Sequence, residues 1–306
     1  MITVAAPASL SNLGPGFDAL GLALEALQDR IEAWKTDSQG VQLVAGDRAA
    51  SLPMDPARNT AAVAAQAVLR MADADFGLTL RIHKGYTPGS GLGRSAASAV
   101  AGVWAANELC GKPFSKGELV EAVLTGEAVA SGARHGDNVL PALLGGLVLV
   151  SSSDPTRYRQ IELPAALSLA VIQPRVEVLT KTARAILPKQ VPLRDAVHNA
   201  SSLAFMLDAF RAGDWETVGA CIMEDRLVEP VRATLVPCYA AVRNAALDAG
   251  AFGCALSGSG PALFAIASDE SHAAVLRDAM YEAAACAGIG AEATVTHADT
   301  QGARLC

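Results

Sequence analysis

The chain has 306 residues, 51% of them apolar and 18% charged, enough for a substantial core and two modest domains. Its formal charge of −7, with no long basic run, argues against nucleic acid or an anionic membrane as a partner, although a nucleotide could still bind through backbone amides and a few arginines. No apolar stretch reaches the roughly 20 residues of a membrane span, and the start, Met1-Ile-Thr-Val-Ala-Ala-Pro, lacks a basic n-region and reads as a strand rather than a signal peptide.

Residues 2–6 alternate and predict a first strand. Residues 7–18, Pro-Ala-Ser-Leu-Ser-Asn-Leu-Gly-Pro-Gly-Phe-Asp, are turn-rich yet hold buried-type residues and an Asn/Asp pair, as in a functional loop or an ordinary Asx-turn loop. Residues 19–27 are apolar, and 31–35 and 41–44 read as strands. Residues 59–72 are alanine-rich with helical periodicity, and Gly77–His83 turns Leu78, Leu80 and Ile82 inward as a half-buried strand.

The next stretch is Pro88, Gly89, Ser90, Gly91, Leu92, Gly93, Arg94, Ser95, Ala96, Ala97, Ser98, and it runs into a helix. Glycine permits positive φ and close backbone approach. The unpaired first-turn amides and the helix dipole then favour an anion, and a phosphate fits such a place. There is no Gly-Lys-Ser/Thr ending and no G-x-G-x-x-G with a later acidic residue, which sets aside a Walker loop and a dinucleotide fold.

Ser115 is predicted to cap a helix to about residue 130, with Glu118 completing a capping box. Glu127 sits near the C-terminal end of that helix, where cations are preferred. It is either a solvated surface charge or a magnesium ligand, since magnesium takes one or two carboxylates plus phosphate oxygens. Ser131, His135, Asp137 and Asn138 then crowd into one turn. Residues 145–150 read as a strand, and the polar run 151–159 suggests a domain boundary, dividing the chain into 1–155 and 156–306. The second part shows strand 167–172, helices Leu193–Ala212 and 237–249, strands 253–257 and 262–266, helix 270–287 and strand 291–296, an α+β sandwich of ferredoxin type. Six cysteines and five histidines are scattered without C-x-x-C, against a zinc or iron–sulfur site and in keeping with a reduced, cytoplasmic chain.

The glycine loop resembles the P-x-x-x-G-L-G-S-S-A-A loop of the GHMP kinases, small-metabolite kinases, with Arg94 where that family usually has serine. Further stretches resemble the homoserine kinase branch of the family: residues 5–18 with Asn12-Leu-Gly-Pro-Gly-Phe-Asp18; His135-x-Asp137-Asn138-Val139-x-Pro141-Ala142 with Gly145-Gly146; Leu179-Thr180-Lys181-Thr182-Ala183-Arg184; Asp225 to Arg232; and the glycine turn 253–261. They occur in family order. The resemblance implies an α+β, two-domain GHMP kinase fold, with an N-terminal ribosomal-protein-S5-domain-2-like domain and a C-terminal ferredoxin-like α/β sandwich. It implies phosphorylation of L-homoserine by ATP with Mg2+, in threonine biosynthesis, and allows a homodimer.

The resemblance also implies site roles. Gly89 to Ser98 with Pro88 would wrap the nucleotide phosphates, and Asn59 matches a residue of the adenine pocket. Ser95 and Glu127 would hold magnesium. Asn12, Asp18, His135, Thr180, Arg184 and Arg232 would hold the amino acid. Chemically, an arginine fork suits the carboxylate and Asp18 the ammonium. Where related kinases place a basic aspartate, this chain matches Asn138, which cannot take a proton. Catalysis would then rest on positioning and electrostatic stabilisation of a loose phosphoryl-transfer transition state. The turn 257–261 would back the phosphate loop. Two rivals remain, a mevalonate- or sugar-type GHMP kinase and a non-catalytic nucleotide or amino-acid sensor. The pair Arg184 and Arg232 together with Asp18 argues against the first, since a zwitterion needs both signs, and intact Ser95 and Glu127 argue against the second.

Overall fold

The structure, a computed structural model, describes residues 1–306 except Ser51, Thr87, Pro88 and Ala133, together with all side chains but those of Ala130 and Ser131. Pro88 and the Ser131 hydroxyl, both singled out in the sequence, therefore lie outside the described residues.

The first strand, β1 (Ile2–Ser11), continues through residues 7–11, which had been expected to form a loop. Buried from Val4 onward, it shows small apolar residues on both faces rather than alternation, so the strand signal fades after Ala6. Pro7, which has no N–H to give, sits where the pairing with β2 (Leu20–Thr36) shifts register between Pro7 and Ala8. The segments 19–27 and 31–35 are thus one 17-residue strand, and the partner jumps from Leu24 to Gln28 at this bulge. There follow β3 (Val41–Ala45), α1 (Thr60–Met71), β4 (Gly77–His83), α2 (Arg94–Leu109), α3 (Val120–Ser131), α4 (Gly136–Leu144), β5 (Leu147–Val150) and β6 (Tyr158–Ile161).

The Ser115–Glu118 capping contact forms, with Ser115 N donating to Glu118 Oε2 at 2.8 Å, but on a turn that precedes α3. The stretch after Glu127, read only as a break, contains α4. Small residues let α1 and α3 pack tightly on α2, and α2 packs on β1 and β2.

The second half begins with β7 (Ser168–Pro174), α5 (Thr180–Ala185), α6 (Leu193–Ala212) and α7 (Trp215–Ile222). It continues with α8 (Glu229–Arg232), α9 (Tyr239–Asp248), β8 (Gly253–Leu256), β9 (Leu263–Ala267), α10 (Glu270–Cys286), β10 (Ala291–His297) and β11 (Arg304–Leu305). Its four-stranded antiparallel sheet has the order β10-β7-β9-β8. Counted from β7, that is 4-1-3-2, the ferredoxin-like order expected. The other sheet has seven strands, ordered β11-β1-β2-β4-β3 with β5 on β2 and β6 on β5. The expected division at 155/156 falls inside the β5–β6 hairpin. The chain changes sheets between Ile161 and Ser168, and β11 returns to pair with β1. Among the described residues no helix is long and apolar enough to cross a membrane, and the six cysteines are free thiols.

Candidate functional site

The glycine loop connects β4 to α2, and Gly93 at φ 65 caps α2 with no side chain over the first-turn amides. The loop is clamped from two sides. A Cβ on Gly91 would stand 2.5 Å from Ser257 O and 2.7 Å from Gly260 O, and one on Gly93 would stand 2.3 Å from Ser9 Oγ and 2.8 Å from Asn138 Oδ1. Hydrogen bonds fix the same clamp: Ser257 Oγ donates to Gly91 O at 2.8 Å, Ala262 N to Ser90 O at 3.0 Å and Ser9 N to Leu92 O at 3.2 Å.

Beneath α2 lies a buried ion pair that the sequence did not single out. Lys84 Nζ pairs with Asp29 and donates to Arg94 O and Ser98 Oγ, both at 2.8 Å. Burial lowers its pKa to about 8. Ser98 therefore anchors the helix from below. Arg94 turns its Nη2 to Arg48 O at 3.0 Å, tying residues 46–50 to the helix start.

A cleft of about 250 Å3 is lined by Gly89, Ser90, Gly91, Gly93, Arg94 and Ser95 of the loop, by Glu127, His135 and Asn138, and by Asn12, Asp18, Thr180, Arg184 and Arg232. The residues expected at the site thus converge from both halves of the chain. Leu92, Ala96, Ala97 and Ser98 are buried in the support behind the loop. Asn59 lies outside the cleft lining. It caps α1, accepting from Ala61 N at 3.0 Å and donating to Pro53 O at 2.9 Å.

In the cleft lining Ser95 Oγ donates to Glu127 Oε1 at 3.3 Å. Glu127 is 6% exposed, and burial raises its carboxyl pKa to about 8, against the Ser95 hydrogen bond. A hydroxyl and a buried carboxylate side by side at the foot of a phosphate-type loop fit a hard cation that takes its other ligands from phosphate and water. Among the described residues there is no cluster of three or more His, Cys, Asp or Glu side chains that could hold a metal.

The lining also holds charges of both signs. Arg184 grips Asp18 with Nη1 at 2.9 Å and Nη2 at 2.8 Å. The Phe17 ring lies 5.4 Å from the Arg184 guanidinium and 5.0 Å from that of Arg232, so both cations stand over one aromatic ring. Arg232 is buried and donates from Nη1 to Gly258 O at 2.8 Å and from Nε to Ala183 O at 3.4 Å. Burial, then Arg184, lowers its pKa. Burial, then Arg184, also lowers that of His135 and keeps its ring neutral. Asn12 and Asp18 reach their places through left-handed backbone, φ 72 and φ 55, a conformation Asn and Asp accept more readily than other side-chain-bearing residues. Asn138 Oδ1 accepts from Ser9 Oγ at 2.9 Å, so the amide is oriented from β1.

Sequence reasoning gave no role to Asp137, Ser9 or Phe17. Asp137 opens α4, lines the cleft and is 4% exposed; burial and Asp18 raise its pKa to about 7. Its place beside Asn138 was the available signal.

Residues 59–146 match the family description GHMP kinases N terminal domain, and residues 206–286 match GHMP kinases C terminal. A homoserine kinase of Pyrococcus furiosus is 40% identical over 303 residues, 99% of each chain. The chain belongs to the GHMP kinases, in their homoserine kinase branch. The crystal structure of homoserine kinase from Cytophaga hutchinsonii superposes with a TM-score of 0.96 at 38% identity, covering 100% of this chain and 97% of that one. The L. major mevalonate kinase in complex with R-mevalonate superposes at 0.75 with 20% identity, which shows the shared GHMP kinase fold. The chain is accordingly an ATP-dependent small-molecule kinase, and the cleft between its two sheets is read below as its active site.

Proposed function

We propose that this GHMP kinase transfers the terminal phosphoryl group of ATP to the side-chain hydroxyl of L-homoserine, giving O-phospho-L-homoserine for threonine biosynthesis in the cytoplasm, with Mg2+. The observation that carries the reading is one cleft lined both by a phosphate-type loop with its Ser95–Glu127 pair and by opposed carboxylates and guanidiniums. A free amino acid is a zwitterion, so its pocket needs both signs. Mevalonate or galactose has no ammonium for Asp18 to meet.

In this reading Gly89 to Ser95 cradle the ATP phosphates, and Asn59 sets the wall of the adenine site from the cap of α1. Glu127 and Ser95 hold the cation, which neutralises phosphate charge when bound. Arg184 and Arg232 receive the substrate carboxylate, Asp18 and Asp137 the ammonium, and His135, Asn12 and Thr180 close around the backbone of the amino acid. Arg184 exchanges its Asp18 partner for the carboxylate, so no charge is left unpaired on binding. Asn138, fixed by Ser9, orients the attacking hydroxyl. Its amide takes no proton, and the proton passes late to the transferred phosphate. Alignment and charge neutralisation supply the rate.

The test compares L-homoserine with 4-hydroxybutyrate, which lacks only the amino group. Removing one charged partner from a buried pocket costs roughly 3 kcal/mol, or on the order of a hundredfold in kcat/KM. Equal kcat/KM for the two would sink the assignment.

Asp137 adds a pH dependence. It must be ionised to receive the ammonium, and its pKa stands near 7. The KM for homoserine therefore falls as pH rises from about 6 to about 8 and then levels, whereas Asp137→Asn flattens the profile. The sign for stability is the reverse. With a folded pKa raised above the ordinary 3.8, the carboxyl's contribution is full at low pH and is lost as pH rises through about 7. Thermal melts of the ligand-free variant should thus gain on the parent protein over that interval. A variant with an unchanged KM profile would remove Asp137 from the pocket.

A further inference from the structure

We propose that Glu229 is a positioning residue for substrate binding: it fixes both ends of the Arg232–Gly258 bond, and through that bond the guanidinium that receives the substrate carboxylate. This rests on the reading of Arg232 given above.

Glu229 opens the four-residue α8 that ends in Arg232. It is buried and lies outside the lining of the cleft, so it does not touch the amino acid itself. One carboxylate oxygen, Oε1, accepts from Tyr239 OH on α9 at 2.7 Å and from Leu256 N at the end of β8 at 3.1 Å. Leu256 leads directly into Ser257 and Gly258. Gly258 O accepts Arg232 Nη1 at 2.8 Å and Asn12 Nδ2 at 3.2 Å, and Gly258 N donates to Ser11 O at 3.0 Å. A single carboxylate oxygen thus holds α8, which carries the guanidinium, against the end of β8, which leads into the turn that carries its carbonyl partner.

The backbone of Glu229 is fixed independently. Asp225 Oδ2 accepts Glu229 N at 2.7 Å, its Oδ1 accepts Leu227 N at 2.8 Å, and Asn199 Nδ2 on α6 donates to Asp225 at 2.7 Å. So short a helix has little stability of its own. Its orientation comes from these side-chain bonds, and Glu229 supplies the one that points toward the cleft. Burial raises the Glu229 pKa to about 7, so the site accepts a neutral acceptor as readily as an anion. Glutamine, which keeps an oxygen at Oε1, should therefore serve.

The experiment is a double-mutant cycle read as homoserine KM. Glu229→Ala should raise KM roughly tenfold, leave the KM for ATP within about twofold, and add less than about twofold in an Arg232→Ala background. Glu229→Gln should recover most of the loss. Should Glu229→Ala fail to fold, Tyr239→Phe removes one of the two bonds in the same space, and its KM rise of about two- to threefold should also vanish without Arg232. The same factor with and without Arg232, or an equal rise in the KM for ATP, overturns the proposal and leaves Glu229 as a general structural tie. If Arg232→Ala raises KM and Glu229→Ala does not, only the positioning role falls. If Arg232→Ala leaves KM unchanged, the carboxylate-clamp reading falls and takes the positioning role with it.

Discussion

Glu127→Gln lowers kcat by about a hundredfold or more and leaves the fold intact, the few kcal/mol expected of one charge-stabilising group at a phosphoryl-transfer site. The side chain is 6% exposed and lies against Ser95 Oγ, so the amide fits the same space. Burial already holds the ligand-free carboxyl at a pKa of about 8, which means that at neutral pH glutamine copies its shape and its charge. The variant therefore probes what the carboxylate does when a cation and phosphates fill the cleft. The measurement pairs kcat at saturating ATP and magnesium with a thermal melt. Near-normal turnover at limiting magnesium would return Glu127 to the role of a buried structural acid.

Arg232→Lys raises the KM for homoserine by roughly ten- to a hundredfold, equivalent to about 1.5–3 kcal/mol, with a smaller change in kcat and little change in the KM for ATP. The guanidinium is 3% exposed and spends Nη1 on Gly258 O and Nε on Ala183 O. A planar fork satisfies these carbonyls and still faces a carboxylate, whereas an ammonium on a flexible stem must choose between them. In this reading the contact is to the substrate carboxylate rather than to the transferred phosphate and is equally present before and during reaction, so the loss falls on binding. The check is a pair of saturation curves. If the ATP curve moves and the homoserine curve does not, Arg232 belongs to the nucleotide and the amino-acid pocket is misplaced.

The phosphate-type loop was legible because it needs glycine at fixed places. At Gly91 and Gly93 any side chain would strike backbone or the Ser9–Asn138 pair. The second sheet was legible from alternating strands and long helices, whose order follows from the split βαβ pattern. Residues 7–11 were misread because β1 is buried on both faces and shows no period of two. α4 was misread because its opening residues serve the cleft: Asp137 and Asn138 read as a turn, and Pro141 lies inside the helix. α7 and α8 are too short for periodicity to register. The Lys84–Asp29 pair left no trace because a charge on β2 and one just past the end of β4 become a buried pair only when the sheet forms. What sequence could not convey at all is that Asp18 and Arg184, 166 residues apart, meet in a two-pronged bond.

The central claim is tested most directly by offering the enzyme equal L-homoserine, mevalonate and galactose with ATP and magnesium, and identifying the phosphorylated product by phosphorus NMR. The account predicts O-phospho-L-homoserine as essentially the sole phosphate ester, formed in step with ADP. Phosphomevalonate or a sugar phosphate as the main product, or ADP formed with no phosphate ester, would contradict it.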